Sequence, residues 1–65
     1  MTTSSDRAEL STVRAQVEDL TARVLTVAQH YDDADSAVAG ELFAAERALV
    51  ATRRSLERAL SFLNP

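Results

Sequence analysis

Three groups of residues in this chain have types and spacings that could do chemistry. They are the acidic run Asp32-Asp33-Ala34-Asp35, the histidine His30 just before it, and the arginines Arg47, Arg53, Arg54 and Arg58. The aspartates invite a calcium reading. A calcium loop alternates oxygen ligands, turns on a glycine at its sixth position and closes with a bidentate glutamate at its twelfth. Counted from Asp33, those positions hold Val38 and Ala44, which supply neither the turn nor the ligand. The run reads instead as a turn, because short polar side chains bond to nearby backbone and compete with helix. His30 is the only histidine, and the residue three before it is Val27 rather than the glutamate of a Glu-x-x-His metal helix. It reads as a cation at a helix C-terminus, where it suits the negative end of the dipole. With no cysteine in the chain, a metal site is not expected.

The four arginines are candidate contacts for an anionic partner, either phosphate or an acidic protein face. Glu46 and Glu57 lie among them, though, and Arg53 and Arg54 stand at i,i+4 and i,i+3 from Glu57, the spacing of ordinary surface pairs. No aromatic residues interleave to stack bases. Ser11, Ser55 and Ser61 have no neighbouring base to activate them. Catalytic residues and cofactors are therefore expected to be absent, and the chain is expected not to be an enzyme.

A chain of 65 residues allows one small domain. A chain of this size buries only about 60% of its unfolded surface, and such scaffolds need a staple. Without cysteine or a histidine cluster, oligomerisation is the staple left. One glycine and one proline make a helical composition, and the absence of lysine beside seven arginines suits a GC-rich bacterial genome. The net charge of −3 resides in the Asp32–Asp35 run, since the segments on either side nearly cancel, and this disfavours nucleic acid. The first residues lack the basic and apolar regions of a signal peptide, and no apolar run approaches the roughly 20 residues of a membrane span. A cytoplasmic location is the expectation.

The apolar pattern has the period of a helix. Leu10, Val13, Val17, Leu20, Val24, Val27 and Tyr31 alternate spacings of three and four, an unbroken heptad with Leu10, Val17, Val24 and Tyr31 at a and Val13, Leu20 and Val27 at d. Asp6 and Glu9 form a capping-box-like start, with residues 1–5 frayed before it. After the acidic run the pattern resumes at Val38, Leu42, Ala45, Leu49, Thr52, Leu56, Ala59 and Leu63, with leucine at every a position and small residues at d after Val38. The expected organisation is a frayed segment over 1–5 and a single domain over 6–65: helix 6–31, turn 32–35, helix 36–63. The fold class is all-α, an antiparallel, coiled-coil-like two-helix hairpin, expected to dimerise into a four-helix bundle.

The run Leu10-x-x-x-Arg14-x-x-Val17-x-Asp19-Leu20 resembles the first helix of the helical chorismate-mutase type, which implies a third helix and an active-site lysine. This chain has neither, so the spacing reads as that of any amphipathic helix.

Helix two has more apolar surface than one neighbour covers: Phe43 and Val50 lie beside the leucine stripe, and Leu60 and Phe62 widen it. Such excess marks an interface. The expected interface is Leu42, Phe43, Leu49, Val50, Leu56, Leu60, Phe62 and Leu63, facing Leu10, Val13, Val17, Leu20, Val24 and Val27. The functional expectation is a non-enzymatic, self-associating protein–protein interaction module acting as scaffold or adaptor, its partner a second copy or another helical protein. The alternative is a small regulator whose hairpin docks on a larger partner, such as a transcription or cell-division factor.

Overall fold

A computed structural model describes residues 3–31 and 36–64 of the chain. The helix α1 spans Thr3–Ala28 and passes into one 3-10 turn, Gln29–Tyr31; α2 spans Ala37–Leu63. The described residues are all helical apart from Ser36 and Asn64, with no strand among them. The aspartates of the expected turn lie outside the described residues.

The N-terminal boundary falls earlier than the sequence pattern places it. Since α1 begins at Thr3, Asp6 stands within its first turn rather than at its cap. There the carboxylate still faces the positive end of the helix dipole. The start of α2 follows from one side chain: Ser36 is extended (φ −74°, ψ 116°) and its hydroxyl accepts from the Ala39 backbone N–H at 3.1 Å. The Ser36 carbonyl in turn accepts from the Gly40 N–H at 3.2 Å, opening the helical ladder. Gly40 thus sits inside α2, with a negative φ and open space where a Cβ would stand.

The helices run antiparallel, and two polar contacts fix their register. Arg7 Nη1 donates to Asn64 Oδ1 at 3.4 Å, and Arg14 pairs with Glu57 at 3.8 Å. A step of seven along α1 is a step of seven back along α2, so the helices lie side by side over their whole length. Their 26 and 27 residues rise about 39–40 Å. The result is a rod of 48 × 15 × 14 Å. Its radius of gyration, 15.1 Å, exceeds the roughly 11 Å of a compact globule of this length.

Few residues are enclosed by this pairing. Ala28 is 0% exposed, Ala39 6% and Val17 9%, and no other described residue is buried. The seam is turned relative to the expected stripe. On α1, Arg14, Thr21 and Ala28 face inward beside Leu10, Val17 and Val24, while Leu20 and Val27 stay out at 43% and 45% exposure. On α2, Ala39, Glu46, Arg53 and Leu60 join the leucines, while Val38, Ala45 and Thr52 stay exposed. Over most of their length both helices therefore meet through heptad positions a and e rather than a and d, while at the end away from the turn the d residues Val13 and Ala59 are half-buried as well. The reason is steric: a two-helix seam is narrow, and its two most enclosed residues, Ala28 and Ala39, have side chains small enough to let the backbones approach. Of the polar residues drawn inward, Arg14 pairs with Glu18 and Glu57, Thr21 Oγ1 donates to the Val17 carbonyl at 2.7 Å, and Arg53 pairs with Glu57 at 3.2 Å.

Candidate interaction surfaces

An antiparallel hairpin with an a/e seam has two side faces. A helix turns about 100° per residue, so the d positions of both helices fall on one flank and the outer e-side positions on the other. Two observations locate them. Leu20, Arg23, Val24 and Val27 of α1 line one shallow groove together with Leu42 of α2. On the opposite flank, Arg14 lies between Glu18 at 3.4 Å and Glu57 at 3.8 Å.

The first flank is apolar. It presents Val13, Leu20 and Val27 from α1 beside Val38, Ala45, Thr52 and Ala59 from α2. Val38 is 49% exposed, the same level as Leu20 and Val27. The face thus has a bulky strip on one helix and, beyond Val38, a small-residue strip on the other. The second flank is mixed. Towards the chain ends it holds the Arg14, Glu18, Arg53 and Glu57 ion pairs; towards the turn it holds Leu25, Phe43 and Val50. Of these Leu25 and Val50 are half-buried and Phe43 is 38% exposed.

The expected interface residues are therefore distributed over several surfaces. Leu10, Val17, Val24, Leu42, Leu49, Leu56, Leu60 and Leu63 line the seam, and Val17 is its most enclosed large side chain. Leu20 and Val27, with half-buried Val13, lie on the apolar flank. Phe43 and Val50 lie on the opposite one. Phe62, at 86% exposure, stands at the outer rim of the apolar flank on α2. Sequence reasoning missed Ala28 and Ala39 as the closest-packed positions. The available signal was an alanine at the e position nearest the turn in each helix, outweighed by the larger valine beside it at d.

The arginines separate into two kinds. Arg53 turns towards the seam and pairs with Glu57. Arg47, Arg54 and Arg58 lie exposed along the outer face of α2. Among the described residues none of these three has a carboxylate within ion-pair distance; Arg58 donates instead to Ser55 Oγ at 2.9 Å. His30 is exposed in the 3-10 turn. Ser55 is taken up by Arg58, and Ser61 donates to the Arg58 carbonyl at 2.7 Å. Among the described residues, no three His, Cys, Asp or Glu side chains come together as a metal would need. No described helix is long and apolar enough to cross a membrane.

No known family model, no curated protein and no solved structure matches the chain.

Proposed function

We propose that this chain is a protein–protein interaction module that works by self-association, two hairpins packing into a four-helix bundle that serves as scaffold or adaptor. The observation that carries the reading is surface area. A folded monomer of 7.1 kDa exposes about 4,100 Å² on the usual scaling of area with mass. This chain exposes 4732 Å². The excess, roughly 600 Å², approaches the ~800 Å² that each partner buries in a standard interface. Leu20, Val27, Tyr31, Val38, Phe43 and Phe62 are the large apolar side chains left exposed among the described residues. Only three of the described residues are buried, and covering that surface would contribute about 25 cal/mol per Å² of its apolar part.

Light scattering on a sizing column across a concentration series tests this. A mass of about 14 kDa, twice the 7.1 kDa chain, or a higher multiple is the expected result at micromolar concentration. A constant 7.1 kDa would refute it.

One observation favours a second reading, docking on a larger protein. Among the described residues, the outer face of α2 keeps Arg47, Arg54 and Arg58 without carboxylate partners, where Arg14, Arg23 and Arg53 each have at least one. A bundle built on either side flank leaves that face open to an acidic partner.

A further inference from the structure

We infer that the face carrying Val13, Leu20 and Val27 is covered by the same face of a second copy, related by a two-fold axis parallel to the helices. This rests on the self-association proposed above and names its surface and geometry. An isologous interface must be complementary to itself. This face is, because its bulky strip and its small strip lie side by side. A two-fold axis along the rod lays α1 of each copy over α2 of the other and keeps every residue at its own height.

The register set by Arg7–Asn64 and Arg14–Glu57 then decides which residues meet. Val13 comes level with Ala59 of the second copy, Leu20 with its Thr52, and Val27 with its Ala45. Each large side chain meets a small one, the condition for interdigitated packing at interior density. At the rim, Glu9, Gln16 and Arg23 come level with Phe62, Ser55 and Ala48 of the second copy, so no like charges meet. The other way to stack the two faces, with the axis across the rod, puts α1 on α1 and α2 on α2. That sets large against large on one side and leaves gaps between alanines on the other. A foreign partner helix would need only the bulky strip; a second copy needs both.

The opposite flank lacks this complementarity, since its half nearer the chain ends is occupied by ion pairs. It serves as the control. The chain has no cysteine, so single cysteines can be placed at will. A Val13→Cys chain mixed with an Ala59→Cys chain and treated with a short thiol cross-linker should give one mixed product of about 14 kDa, twice 7.1 kDa. Val50→Cys in place of Val13→Cys should give none. Independently, Leu20→Glu with Val27→Glu alters two side chains that the single hairpin leaves exposed. Helicity should survive, and the dissociation constant should rise roughly a hundredfold or more, as charges are desolvated at an apolar contact. A mixed product from Val50→Cys but not from Val13→Cys overturns the assigned face while self-association stands. So does a full-strength dimer in the doubly charged variant. A wild-type mass of 7.1 kDa at all concentrations overturns both.

Discussion

Replacing Ala28 by leucine should open the hairpin at its turn end. Ala28 has no exposed surface at all, so its methyl is already in contact on every side. An isobutyl group there must push α2 away or force its own side chain off-rotamer. Overpacking of this kind costs about 1–3 kcal/mol. The same change at Ala22, an exposed position on the outer side of α1, adds bulk where there is only solvent. Alanine and leucine are both strong helix formers, so Ala22→Leu should fall within about 0.5 kcal/mol of wild type. Urea titration followed by far-UV circular dichroism separates them, at one fixed protein concentration so that association contributes equally. With a slope near 1 kcal/mol per molar for a chain this small, the Ala28→Leu midpoint should fall by roughly 1–3 M. If Ala28→Leu unfolds with Ala22→Leu and wild type, the helices do not meet through the e positions and the seam described above is wrong.

Two further substitutions probe α2. Ser36→Ala removes the hydroxyl that accepts from the Ala39 N–H and should destabilise by about 1 kcal/mol, whereas Ser36→Asp should retain most of the cap; thermal melts of the three proteins check this. Gly40→Ala places a methyl in open space within a helix and should stabilise by about 0.5–1 kcal/mol, read as a higher urea midpoint; a lower one would mean that Gly40 is needed for a close approach.

The heptad spacing was enough to read the two helices and the leucines of α2 from the sequence, because both signals are local. The side of the stripe was not legible. At each repeat of α1 a more apolar residue stands next to the one that faces α2: Val13 beside Arg14, Leu20 beside Thr21, Val27 beside Ala28. Apolarity ranks the first of each pair higher. The hairpin selects the second, because closeness of approach and side-chain reach decide a narrow seam: alanine for proximity, threonine bonding its own helix, arginine lying along the groove to Glu57. A hydrophobic pattern records what is covered in total, not by which neighbour. For the same reason Phe43 and Val50 read as companions of Leu20 and Val27, although the antiparallel register puts the two pairs on opposite flanks. The arginines were legible as a cluster, but the split between Arg53 and the other three depends on which of them points towards the seam.

The tie between Arg7 and Asn64 has a mechanical consequence. It holds the two chain ends together at one extremity of a 48 Å rod. A force pulling those ends apart does not shear the seam as a whole. It peels it, loading first the Arg7–Asn64 contact, then the Arg14–Glu57 pair, then the half-buried leucines and valines in turn, with Ala28 and Ala39 reached last. Contacts broken one after another resist far less tension than the same contacts broken together. Held by its two ends, the hairpin is a zipper that opens at modest load, with its tightest teeth nearest the turn.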